Sequence, residues 1–299
     1  MNVEILRSTS ERLNWLLHDI VTENSVGLEF GALDNPTPMP RGWKVEYVDY
    51  TTKKGLQAHP HEETVKREEI VYVDHVWSGS GSLARVCQKT DYDFAIASQV
   101  IEHVPNVLGW FEGIHEVLRH CGVFNLAIPD RRFTFDIRRK SSSLGEMVEA
   151  YLAKADKPSI RQIFDHTFDA AAVLPGEPWV ESFDVTSKPR YSGDIALQLA
   201  YSQSIQSLDG NNYFDSHCWV FTPMSFLDTI EGATRLGIFN FIISDFSSTK
   251  QGSFEFYVSF RKDSELMGEE LKNCQLAAIY HVKSRVEAEH RAALLLSEL

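Results

Sequence analysis

Among the histidines of this 299-residue chain that neighbour carboxylates, those in Glu102-His103, Asp165-His166 and Asp215-Ser-His217 are the candidates for chemistry. Imidazole titrates near neutral pH, so a well-placed histidine is the usual group for drawing a proton from a weakly acidic acceptor. His217, between Asp215 and Trp219, is the first choice as general base. Asp130, His103 and the Asp165-His166 pair follow. Asp165, His166, Asp215 and His217 also offer oxygen and imidazole donors of a kind a divalent ion accepts. No local spacing groups those four, and no metal is expected. For each histidine the bland alternative is a hydrogen-bonded structural residue.

A second polar group has a clearer structural setting. Phe94–Ala97 is a short apolar run of the kind shown by a parallel strand covered on both faces, and Ser98, Gln99, Glu102 and His103 follow it. Polar groups just past the carboxyl end of such a strand lie where open α/β sheets bind ligands. Further strands are predicted at Val26–Phe30, at Val45–Val48 ending at Asp49, at Ile70–Val73 ending at Asp74, and at Val123–Ile128 ending at Pro129-Asp130. A helix over Glu11–Ile20, capped by Ser10, should pack on the sheet edge. Another runs from Val107 to Arg119 and is stopped by Cys121-Gly122. Strands alternating with helices imply βαβ units and a mainly parallel sheet, with the strand carboxyl ends along one edge.

The rhythm breaks over 131–216, read as an insertion that covers the acceptor. Helices are predicted there near Leu144–Ala155 and Asp194–Leu208. Thr222-Pro223 then opens a helix with proline at an early position. Phe239–Asp245 and Phe254–Phe260 form a terminal antiparallel hairpin. A main domain thus spans 1–262. A helical tail over 263–299, with Ile279, Val282, Val286, Ala293 and Leu296 on one stripe, either docks on that domain or pairs two copies as a homodimer.

Composition narrows the class. Apolar residues make up 43% and charged residues 24%, ordinary for a globular protein, while a net charge of −13 argues against a general nucleic-acid binder. The basic run Arg131, Arg132, Arg138, Arg139 and Lys140 is local, and its arginines suit an acceptor phosphate or carboxylate or simply a solvated helix start. Four scattered cysteines without zinc-type pairing read as reduced thiols, and no run is apolar enough to span a bilayer. Met1–Ser10 lacks the apolar core of a secretory signal. A soluble, cytoplasmic protein is expected.

Val26-Gly-Leu-Glu-Phe-Gly-Ala-Leu-Asp-Asn-Pro36, followed by Asp49 at the end of the second strand and by Asp91–Pro105, resembles class I S-adenosylmethionine-dependent methyltransferases over about Val26–Pro129. The resemblance implies a Rossmann-like α/β fold and S-adenosylmethionine as cofactor, leaving S-adenosylhomocysteine. It places Glu29, Gly31 and Ala32 at the cofactor turn, Asp49 on the ribose hydroxyls, Asp74 and His75 near the adenine, and Ser98 and Gln99 at the methionine end, with Glu102-His103 shaping the cofactor pocket. Leu33 and Asp34 depart from the family pattern, which has another glycine there. Within the class, Ile128–Ile137 and His217–Pro223 are most similar to the methyltransferase-domain proteins that accompany glycosyltransferases in glycan pathways. A saccharide hydroxyl is therefore the expected acceptor. A small metabolite or amine, or a non-catalytic cofactor-binding scaffold, are the alternatives. A dehydrogenase fits poorly, because no Gly-x-Gly-x-x-Gly follows the first strand.

Overall fold

The computed structural model describes residues 10–20, 23–59, 64–208 and 212–297. Seven strands form one sheet: β1 (Val26–Phe30), β2 (Lys44–Asp49), β3 (His75–Val76), β4 (Tyr92–Ser98), β5 (Leu118–Pro129), β6 (Ile242–Ser247) and β7 (Glu255–Arg261), in the order β3-β2-β1-β4-β5-β7-β6. The first five are mutually parallel, and β7 runs antiparallel to both β5 and β6. This mainly parallel sheet ending in an antiparallel hairpin is the Rossmann-like class I arrangement that the resemblance implies. The strand order reverses between β1 and β4, and both carboxyl ends open toward the same edge.

Apolar layers of unequal thickness cover the two faces. On one, α4 (Val107–Val117) lays Trp110, Phe111 and Ile114 against β4 and β5, and Phe124, Phe239, Phe241 and Phe260 interlock edge to face around Phe111. Truncating one such phenylalanine to alanine costs about 3–5 kcal/mol. On the other face, α1 (Ser10–Leu16) sets Leu16 on Phe94, Ile96, Val123 and Ala127. The first helix therefore covers the middle of the sheet, not its edge. The Asn125 amide donates to the carbonyls of Leu16 and His18 and pins the chain where the helix ends. Ser10 is the first residue of α1, and residues 1–9, on which the rest of the Met1–Ser10 reading falls, lie outside the described residues.

Three expected boundaries move. Ile70–Val73 is not a strand: β3 is confined to His75–Val76, and Asp74 precedes it. Ile70 and Val73 instead bury themselves against Leu56 of α2 (Lys53–Ala58). The helix α4 ends at Val117, with Gly122 inside β5 and Cys121 in the left-handed conformation at φ +59°. The stretch after β5 holds three helices, not two: α5 (Leu144–Ala153), α6 (Ile160–Asp169) and α7 (Ala196–Leu208). Proline at the start of α8 (Pro223–Leu236) is as predicted, with Thr222 as its cap. The tail helix α9 (Gly268–Ser297) lies on α8 and β6 of its own chain, with Lys283 bonded to Asp228 and Glu231.

Candidate active site

Gly31 ends β1 at φ +62°, a conformation glycine adopts without strain, and a Cβ there would stand 2.6 Å from a Val100 methyl. No helix follows. From Gly31 to Trp43 the backbone is irregular, with Pro36, Pro38 and Pro40 removing amide donors at alternate positions. Leu33, which stands where the family pattern has glycine, itself takes φ +48°. Its side chain packs on the Leu56–Ile70–Val73 cluster, which offsets the roughly 1–2 kcal/mol cost of a left-handed L-residue. Glu29 is buried and accepts hydrogen bonds from the Thr37 amide (2.9 Å) and hydroxyl (2.7 Å), closing the proline-rich segment over the end of β1. Burial raises its pKa, against the pull of those bonds and of Arg12.

This turn is one wall of a cavity of about 780 Å³. Beside it Gln99, at φ +56°, donates to Glu255, which also accepts from Arg12 (2.8 Å) and Tyr257 (2.7 Å). Arg12 also reaches the Ser98 hydroxyl. Glu29, Gly31, Ala32, Ser98, Gln99 and His103 all line this cavity, together with the sequence-selected His166 and His217.

The histidine wall is assembled from distant segments. The stretch Asp215–Trp219 crosses the turn after β4: the amides of Cys218 and Trp219 donate to the Glu102 carbonyl, and the Trp219 indole donates to that of Val104. His103 and His217 consequently meet edge to face, with ring centres 4.7 Å apart. Each ring has a carboxylate at Nδ1, Asp215 for His103 (2.8 Å) and Asp136 for His217 (2.5 Å). Asp136 is fully enclosed and also accepts from Arg139 at 2.9 Å. His166, on α6, accepts at Nδ1 from the His217 amide (3.2 Å).

Electrostatics separates these groups. Desolvation opposes a proton on His103, but Asp215 and Glu102 outweigh it and bring the pKa up to about 9. Burial and the neighbouring His217 push His166 down to about 3, so it is neutral. Burial works to raise Asp136 and Asp215, yet their histidines hold both far below the usual carboxylate range. Glu102 is completely buried, which raises its pKa, and one of its oxygens has no hydrogen-bond partner among the described residues.

Several selected residues lie elsewhere. Asp49 ends β2 outside the cavity lining but within electrostatic reach of Asp215 and His103, and burial lifts it to about 7. Asp74 is turned back onto β2, accepting from the Tyr47 amide, and His75 pairs with Glu46 at 2.7 Å; neither lines the cavity. Asp130 does not line the cavity. It is fully buried and saturated by Arg132 (2.6 Å), the Arg132 amide and Thr249. The other arginines of the basic run are also engaged internally: Arg131 with Ser141, Arg138 with the Val185 and Lys188 carbonyls, Arg139 with Asp136. Asp165 stands outside the lining, and Asp136 takes the place beside His166.

Asp136, Arg12 and Glu255 escaped the sequence reading. Ser159-Ile-Arg-Gln162, a capping box both of whose hydrogen bonds form, was a readable signal for the helix that carries His166.

No family model matches the chain, and a search of curated proteins found no match. Among solved structures it is similar to a putative Zn-dependent alcohol dehydrogenase from Rhodobacter sphaeroides (11% identity, TM-score 0.47, covering 87% of this chain and 92% of that one). It is similar also to an S-adenosylmethionine-dependent methyltransferase from Methanosarcina mazei (13%, 0.40, 83% and 96%) and to another from Mesorhizobium loti (14%, 0.39, 84% and 98%). Likenesses this distant assign no function. No helix among the described residues is long and apolar enough to cross a membrane.

Proposed function

We propose that the chain binds S-adenosylmethionine at the Gly31 wall and transfers its methyl group to an acceptor presented at the histidine wall. One observation carries this reading: the glycine turn after β1 and the two carboxylate-held imidazoles border a single cavity, of a size that suits a cofactor and an acceptor together. The lining also fits the group. A dinucleotide's pyrophosphate normally rests on a helix N-terminus, and no helix starts after β1. Glu29, Asp34, Glu102 and Asp215 give the lining four carboxyl groups, while its cations are already matched, Arg12 by Glu255 and His103 by Asp215. That balance favours a positively charged sulfonium.

When bound, S-adenosylmethionine supplies an electrophilic methyl. The chain's share of the work is to align donor and acceptor and to exclude water, which can supply much of the rate. His217 is the residue through which the acceptor is activated, its Nδ1 fixed by Asp136 and its other nitrogen left for chemistry. The acceptor is a hydroxyl of a saccharide or glycan-linked molecule. Support comes from Ile128–Ile137 and His217–Pro223, which carry the narrower resemblance and contribute Pro129, Thr134, Phe135 and His217 to this cavity. All four cysteines are free, in keeping with a cytoplasmic setting.

Calorimetric titration with S-adenosylhomocysteine tests the cofactor half. Saturable binding, weakened by Asp49→Ala, is the expected result; no heat at millimolar ligand overturns the reading.

A further inference from the structure

We infer that Glu102, His103 and His217 form a binding site for a divalent first-row transition-metal ion at the acceptor wall. One ligand atom from each of the three lies within 4.8 Å of the other two. The inference stands on this geometry and holds whether or not the methyl-transfer reading does.

Three observations support it. The first is the orphaned oxygen of Glu102: a carboxylate 2% exposed, with Oε2 lacking any partner among the described residues, is costly unless something cationic completes it. The second is the outer ring of carboxylates. Metal-bound histidines characteristically give their other N–H to a carboxylate, which fixes tautomer and ring angle. Asp215 does this for His103 and Asp136 for His217, both at Nδ1, leaving Nε2 of each ring as the ligand atom. Asp136 is itself held by Arg139, as an outer partner should be. The third is rigidity, because the Glu102 carbonyl accepts the amides of Cys218 and Trp219 and locks residue 217 to residues 102 and 103.

Two imidazoles and one carboxylate suit zinc, manganese or iron(II), leaving open positions for an acceptor oxygen. An ion there would take up Nε2 of His217 and polarise a coordinated hydroxyl, so that His217 would activate the acceptor through the metal and not as a free base. A second grouping, Asp136, His166 and His217, is less apt. Both oxygens of Asp136 are engaged, by Arg139 and His217, and His166 Nδ1 accepts the His217 amide, which puts its proton on Nε2.

The test uses the full chain stripped with chelator and titrated with Zn²⁺ or Mn²⁺ by calorimetry, with Co²⁺ absorption as a second readout. A single ion should bind and raise the melting temperature. Glu102→Gln, nearly isosteric, His103→Ala and His217→Ala should each lower affinity at least about 100-fold, and Asp215→Asn about 10–100-fold. His166→Ala should retain binding. Circular dichroism identifies any variant that fails to fold, and Glu102→Gln then carries the decision. No binding at millimolar ion, or binding that Glu102→Gln leaves unchanged, overturns the proposal. Neither result would bear on S-adenosylhomocysteine binding.

Discussion

The wall after β1 is made largely of backbone and of residues within ten positions of one another, Glu29 to Pro38, whereas the histidine wall joins side chains from positions 102, 136, 166 and 217. The first depends on conformation: a glycine at φ +62°, three alternating prolines and a carboxylate holding Thr37. The second depends on electrostatics: a charged histidine, a neutral one and two strongly ionised aspartates, Asp136 enclosed and Asp215 partly open to solvent. A local wall tolerates little backbone change, and its buried carboxyl, Glu29, is held by its own segment through Thr37. A composite wall is sensitive to any single charge. If the cavity works as proposed, the two should fail in different ways.

The largest effect is expected at the histidine wall. His217→Ala should cut turnover by about 10²–10⁴-fold while leaving S-adenosylhomocysteine affinity within a factor of a few. Equal loss of both would erase the distinction between the walls. Asp136→Asn acts there through stability, because it leaves the buried Arg139 without its countercharge. A cost of about 3–5 kcal/mol is expected in denaturant unfolding, and a change below about 1 kcal/mol would contradict the enclosed pair.

At the other wall, Leu33→Gly exchanges a relieved backbone for a lost apolar contact. Stability should therefore change by less than about 1–2 kcal/mol, with cofactor affinity preserved.

Asp49 gives a pH signature of its own. Its folded pKa of about 7 lies above the ordinary value of 3.8, so the folded protein binds the extra proton between those limits. The ligand-free chain should accordingly lose stability as pH rises from about 4 to 7 through this group, while S-adenosylhomocysteine affinity should rise as the carboxylate ionises. Asp49→Asn should flatten both trends; an unchanged affinity profile would contradict a role for Asp49 in cofactor binding.

What could be read in advance follows the same division. The placing of Gly31, of the strand Phe94–Ala97 and of the polar run after it beside one cavity was legible because a strand, its turn and its cavity-lining groups are contiguous. His217 was singled out for its chemistry alone. Its meeting with His103 depends on two amides reaching the Glu102 carbonyl, which no periodicity records. The setting of Asp130 was not legible, because a carboxylate at a strand end looks the same in sequence whether it faces a cavity or, as here, Arg132 and Thr249. The third strand was misplaced since Ile70 and Val73 are apolar for a small cluster with Leu56 and not for a ladder. Leu33 hid a left-handed turn behind a side chain that only tertiary packing makes tolerable.

The separability of the walls is tested most directly by calorimetric titration of S-adenosylhomocysteine into the wild type, Gly31→Val and His217→Ala. Valine brings a Cβ to 2.6 Å from Val100 and cannot hold φ +62° without strain, so binding should fall at least about 100-fold there. It should persist in His217→Ala. Absence of binding to the wild type, or a Gly31→Val variant that folds and binds as tightly, would contradict the assignment of the cavity.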